Sequence, residues 1–542
     1  MLKRISNAPL ILALCLACLA VASAQQAPAS RQAPAVARPA ARMAPAVAQK
    51  GPRPEQFTYK PLAFTPPKAS DFRTTLSNGL VVYLAEDHEI PWIQAAILSP
   101  VAGGGGGGFG GRGGGGGGGS VNAFLEPADK LGVQALTASI MRTGGTTSMT
   151  GEQIDERMEF LAGTVGSGNL SIHARHLDEG LKIWMDILQH PAFPEDKLRR
   201  ERERILMAFR NRNRNISAVA TRTFNQLVYG EDSPITAEAG EAVTEGITRD
   251  DLVAWHKKYW GANNAILVVA GDFKKEEMLR KLEASFGRWP AAEKAVPKYP
   301  QVQQAAKAGV YMVQPQGATP NQGIIRVGHV GLRRDDPDFP AVDLMNYTLG
   351  GGSFSSRITQ IVRNDNGLAY STSSSFSPET HYPGSFSAFC QTKNSTVVFA
   401  TQLMVNEIER MRAGDITEKD LKFAKTARLN AFPSMFSTKF GNIRAFAELE
   451  LDSRPMDYYD TYVSRYDKVT VADIKRVAQK YLQPDKMIIM VAGHIEECKA
   501  GADQTLPNQA TIDAMAAKFG GRTIDGLAKK YGDGTVKVIT LK

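Results

Sequence analysis

Metal or nucleophile chemistry needs His, Cys, Asp or Glu side chains brought together, and the eight His and four Cys of this chain are scattered. "HARH", with His173 and His176, is the only close His pair. It has no Glu placed to act on a bound water and reads as strand surface. "LGVQALTASIMRTGGT" (Leu131 to Thr146) spaces Val133, Leu136 and Ile140 as a helix that stops at Gly144-Gly145. From Leu131 to Met141 it contains no His, Cys, Asp or Glu, so this helix can hold no metal and move no proton. "GGGGGGFGGRGGGGGGGS", from Gly103, lacks the Lys and Ser/Thr that a phosphate-binding loop needs after its last Gly, and is expected as a mobile loop over 103–119. The basic run "KLRRERERILMAFRNRNR" (Lys197 to Arg214) interleaves Glu201 and Glu203. It reads as a solvated helix face, so no nucleic-acid partner is expected.

The elements that would position any site are of both kinds. "LSNGLVVYLAEDHEIPWIQAAILSP" reads as two strands around a turn, whereas "TGEQIDERMEFLAG" and "LDEGLKIWMDILQHPAFPEDKLRRERERILMAFRN" read as helices. "TRDDLVAWHKKYWGANNAILVVAGD" (Thr248 to Asp272) aligns without gaps with "TVADIKRVAQKYLQPDKMIIMVAGH" (Thr470 to His494), at an offset of 222 residues. Each copy is an N-capped helix, a turn and an apolar strand. A period this long marks duplicated domains, because solenoid repeats run about 20–50 residues. Segregated strands and helices in two copies give the expected fold class: α+β, with two homologous α/β-sandwich domains forming a clam-shell around a central cleft.

The first segment carries an address rather than core. "MLKRISNAPLILALCLACLAVASA" has Lys3-Arg4, an apolar run and Ala22-Ser23-Ala24, the pattern of a signal peptide over 1–24. A lipid anchor on Cys18 is the competing reading, but the residues before it fit a lipobox poorly. Cleavage removes Lys3, Arg4, Cys15 and Cys18. The net charge then falls from +9 to +7, and Cys390 and Cys498 remain, whose bridging the sequence leaves open. No second span is long enough to cross a membrane. The expected layout is an Ala/Pro-rich disordered tether over 25–57, an N-terminal domain over 58–290, a linker over 291–308, a C-terminal domain over 309–500 and a C-terminal extension over 501–542. The expected location is the periplasm if the source is Gram-negative, and otherwise the exterior.

"LSNGLVVYLAEDHEIPW", "EPADKLG", "HPAFPEDKLRRERERI", "LGGGSFSSRITQIVRNDNGLAY" and the duplicated KYW/KYL…VAG unit, in this order, resemble the pitrilysin/insulinase family of inverted-zincin metallopeptidases, in its processing-peptidase-like two-domain branch. The likeness covers roughly residues 70–495. In that family the helix after "EPADK-G" bears H-x-x-E-H, two zinc-binding His one turn apart and a Glu that activates water. The aligned positions here are Ala135, Ala138 and Ser139. The third ligand, a Glu in a later helix, falls on Ala208. The resemblance therefore implies a member without its zinc site and without a cofactor of its own.

The second half keeps what the first has lost. Family members use an Arg and a Tyr seven residues on to hold the substrate backbone across the cleft, and here these are Arg363 and Tyr370. Arg offers planar donors to a peptide carbonyl, and a Tyr hydroxyl can donate to an oxyanion. The following "STSSSFS" is polar and β-prone, suited to pairing with an extended peptide. "LGGGSFSSR" reads as a Gly turn from which a helix begins at Ser355-Ser356. Two functions follow. One is a peptidase half-site that binds unfolded peptides for a heterodimeric partner bearing H-x-x-E-H and the zinc. The other is a non-enzymatic assembly protein on the same fold. Retention of Arg363 and Tyr370 favours the first.

Overall fold

The computed structural model describes residues 64–101, 123–317, 319–501 and 506–541. The signal peptide, the tether, residues 58–63 and the poly-Gly run expected over 103–119 lie outside the described residues. Strands β1 (Arg73–Thr75), β2 (Val81–Glu86), β3 (Trp92–Leu98), β4 (Thr164–Val165), β5 (Asn169–His173) and β6 (Ile266–Gly271) form one six-stranded sheet, in the order β1-β2-β6-β3-β5-β4. Strands β7 (Gly309–Val313), β8 (Gln322–Val330), β9 (Ala369–Ser377), β10 (Ser385–Lys393), β11 (Ile488–Ala492) and β12 (Val536–Ile539) form a second, in the order β12-β7-β11-β8-β10-β9. The fold is thus mixed helix and sheet, with the duplication visible as two sheets.

Six helices carry the argument: α1 (Val133–Thr143), α2 (Glu195–Arg210), α3 (Ile216–Tyr229), α4 (Arg249–Tyr259), α5 (Lys439–Leu451) and α6 (Val471–Tyr481). The two copies of the repeat start alike, because Thr248 and Thr470 each accept the backbone N–H three residues on, while Asp251 and Asp473 reach back to the cap. Helix α1 ends at Gly144. The chain then turns through Gly145 (φ 76°), where a Cβ would lie 2.4 Å from the Met149 carbonyl oxygen, so only Gly fits.

The central strands are apolar on both faces because each sheet is covered on both. In β6, Leu267 and Val269 join the core of the first lobe, whereas Ile266, Val268 and Ala270 pack with Ile443 and Phe446 of α5. In β11, Ile489 and Val491 join the second core, whereas Ile488 and Met490 pack with Val219 and Phe224 of α3. Each half of the chain therefore lends one helix to the other's sheet, and the lobes are interleaved in one unit. Arg73 of β1 and the Tyr83 hydroxyl of β2 both bind the Glu450 carboxylate of α5, which ties the exchange at its edge.

The tail is a correction to the expected layout. Residues after 500, expected as an appended extension, are built into the second lobe: Phe519, Ile524, Leu527 and Tyr531 enter its core, and β12 pairs in parallel with β7. Without β12 the outer edge of β7 would carry unpaired backbone groups. Cys390 and Cys498 are both buried and free.

Candidate functional site

The four expected zinc positions lie on α1 and α2, whose packing brings Ser139 to Glu201. Ala138 is buried, while Ala135, Ser139 and Ala208 are half-buried. They present methyl groups and one hydroxyl. The Ser139 hydroxyl donates to Glu201 Oε1 at 3.3 Å, and Arg204 donates to the same carboxylate through Nε at 2.9 Å and Nη2 at 2.7 Å. The Arg204 guanidinium, aided by Ser139 and opposed by burial, holds the Glu201 carboxyl below its ordinary range. A zinc ion does not fit this set. No imidazole is present, and the one carboxylate is already neutralised. At the His pair, Arg175 donates to His176 Nε2 at 3.0 Å and takes up that lone pair. Among the described residues, no group of three or more His, Cys, Asp or Glu is placed to hold a metal.

Arg363 and Tyr370 stand where a helix hands over to the edge strand of the second sheet. The segment "LGGGSFSSR" makes this possible by close approach: a Cβ on Gly350 would lie 2.4 Å from Ser374 of β9, and Asn346 bonds both the carbonyl and the hydroxyl of Ser374. The expected helix start at Ser355-Ser356 falls one residue later. Ser356 is the N-cap residue before Arg357, but its hydroxyl donates backwards to the Ser353 carbonyl and so does not cap. Arg363 lies in a wide, π-type turn over Gln360–Asp365.

Tyr370 is the extra residue of a β-bulge. Ser371 pairs with Gln391 and Ala369 with Thr392, so Tyr370 has no partner across the strand. A bulge bends the strand and re-aims its side chain, and the Tyr370 ring is 85% exposed. The Arg363 guanidinium carbon lies 4.7 Å from the centre of that ring and 4.5 Å from the centre of the Phe354 ring. Arg363 is thus held by two exposed aromatic rings. Among the described residues its guanidinium makes no hydrogen bond or ion pair, so its donors are free. Strand β9 is the last strand of its sheet, hydrogen-bonded to β10, and its Thr372 and Ser374 carbonyls also accept from Thr359 and Asn346 side chains.

The two groups of residues are not brought together. A cavity of about 1110 Å³ opens between the lobes, lined by Gln134 and Phe124, by Tyr299 of the linker, and by Glu379, Tyr382 and Tyr459. Burial, with Asp452 nearby, pushes the Glu379 carboxyl up. Neither Arg363, Tyr370 nor the four degenerate positions line this cavity. Arg363 and Tyr370 lie elsewhere on the second lobe. Phe354 and the bulge escaped sequence reading, although an aromatic residue between Gly and Ser in "GGGSFSSR" is a visible signal for the first.

Residues 246–428, which include Arg363 and Tyr370, match the Peptidase M16 inactive domain. The chain is similar to the non-peptidase homolog YmxG of Helicobacter pylori, at 21% identity over 69% of this chain and 87% of that protein. It is also similar to a probable mitochondrial-processing peptidase subunit beta of Arabidopsis thaliana, at 22% identity over 65% of this chain and 69% of the other. The fold matches the crystal structure of a peptidase M16 inactive domain from Pseudomonas fluorescens. There the TM-score is 0.64 at 22% identity, covering 78% of this chain and 97% of that one.

Proposed function

This chain belongs to the M16 (pitrilysin/insulinase) peptidase family as a member of the inactive type, and from that premise we propose that it is an exported, zinc-less subunit that binds peptide for a partner carrying H-x-x-E-H. The observation that carries the proposal is the Arg363–Tyr370 pair: Tyr370 is exposed, and the half-buried Arg363 guanidinium has no hydrogen-bond or ion-pair partner among the described residues, while every ligand position is Ala or Ser. A pair directed outward from its own chain suits a site completed by a second chain.

In this role an extended, unfolded peptide is held beside Tyr370, at the start of the terminal strand β9. Arg363 holds a peptide carbonyl through its planar donors, and the Tyr370 hydroxyl donates to the oxyanion as the scissile carbonyl becomes tetrahedral. Activation of water belongs to the partner. Similarity to a processing-peptidase subunit supports a heterodimer. No described helix is long and apolar enough to cross a membrane.

The competing reading is a non-enzymatic scaffold, which has no physical use for an unpartnered Arg stacked beside a Tyr. The test is reconstitution. The chain alone should be inactive on unfolded peptides, and activity should appear on mixing with its H-x-x-E-H homologue and depend on Arg363 and Tyr370. Wild-type turnover in a complex carrying both substitutions would make the chain a scaffold.

A further inference from the structure

We infer that Phe354 is a positioning residue for Arg363, the third member of a cluster in which the Phe354 and Tyr370 rings both lie against the guanidinium. The inference rests on the peptide-binding reading above and deepens it. A half-buried arginine with no carboxylate to hold it samples several rotamers, and its donors would be ordered only when substrate arrives. Here two aromatic rings, with centres 4.5 and 4.7 Å from the guanidinium carbon, lie against it at cation–π distance. A cation–π contact does not use the N–H donors, and no hydrogen bond among the described residues engages them, so they are left for a peptide carbonyl.

The Phe354 ring is held in place by its own loop. Ser353 has φ 54°, the left-handed region that a residue with a Cβ seldom adopts, and this turns the next side chain outward. The Phe354 carbonyl accepts from Gln360 Nε2 at 2.6 Å, and Gln360 Oε1 accepts from Asn364 at 2.9 Å, so the loop is tied to the turn that carries Arg363. A large apolar ring left 58% exposed in a loop braced this way has no core to serve. Its contact is with Arg363.

The test uses the full mature chain and fluorescein-labelled, reduced and carboxymethylated α-lactalbumin as an unfolded polypeptide, with affinity read by anisotropy. Phe354→Leu should weaken binding about two- to fivefold, the range of an exposed cation–π contact, and Phe354→Tyr should restore it. On an Arg363→Ala background, Phe354→Leu should have no further effect. If Arg363→Ala weakens binding but Phe354→Leu does not, the positioning role is overturned while the peptide-binding reading stands. If the Phe354→Leu effect persists in full without Arg363, Phe354 does not act through it, and the inference is likewise overturned. If Arg363→Ala leaves affinity unchanged, the peptide-binding reading itself falls. Thermal unfolding of each variant checks that the exposed substitution leaves the fold intact.

Discussion

Ser139 donates a hydrogen bond to Glu201 at 3.3 Å, joining α1 to α2 at the place where relatives with a complete motif would hold zinc. The contact is an ordinary polar one, and Glu201 is already paired with Arg204. Metal analysis of the purified mature chain should therefore find no stoichiometric zinc, and a chelator should leave its unfolding midpoint unchanged. About one tightly held zinc per chain would contradict the site as described.

Arg204→Ala should cost more than Ser139→Ala. Losing the Ser hydroxyl removes one hydrogen bond, worth about 0.5–1.5 kcal/mol, and leaves Glu201 neutralised. Losing Arg204 leaves a half-buried carboxylate with only Ser139, so the Glu201 pKa should rise and stability should fall by about 1–3 kcal/mol. Denaturant unfolding at neutral pH orders the two variants.

In the reconstituted complex, Tyr370→Phe should lower turnover by about a hundred- to a thousandfold, the usual cost of one oxyanion donor, with assembly unaffected. Arg363→Ala should raise KM as well, because a positioning contact is lost. Steady-state rates and size-exclusion chromatography read the two effects separately.

His329 offers a pH prediction independent of function. It is fully buried, donates through Nδ1 to the Val330 carbonyl and accepts the Gln483 N–H at Nε2, so it is neutral, and burial pushes its pKa down to about 4. The unfolded chain takes up this proton near pH 6.5 and the folded one only near 4. The contribution is therefore complete above the unfolded value and lost as pH falls through that window, up to about 3 kcal/mol. His329→Gln should flatten the stability profile between pH 7 and 4 relative to the wild-type chain.

Phe224 of α3 is buried against the sheet of the other half. Phe224→Ala should destabilise the protein by about 3–5 kcal/mol, through a cavity that closes poorly between helix and sheet. A fragment ending at residue 290 should fold poorly for the same reason, since α3 would expose Val219 and Phe224 while β6 would lose α5. Unfolding curves and fragment solubility check both outcomes.

Local spacing was enough for the elements. Helix α1, with its Gly stop, the two Thr-capped helices and the apolar strands after them all follow from contacts within a few residues, whereas Ala135, Ala138, Ser139 and Ala208, like Arg363 and Tyr370, were picked out by the family resemblance. What tertiary structure alone decided depends on partners far apart in the chain. The bulge at Tyr370 exists because Thr392 pairs with Ala369 and Gln391 with Ser371. Phe354 reaches Arg363 only once Gly350 lies against Ser374. Helices α3 and α5 each cover the opposite half's sheet, and Val536–Ile539 becomes a strand because β7 has an edge to fill. An amphipathic period tells a helix to bury one face, but the same apolar face fits either sheet, and only the packed chain decides which one receives it.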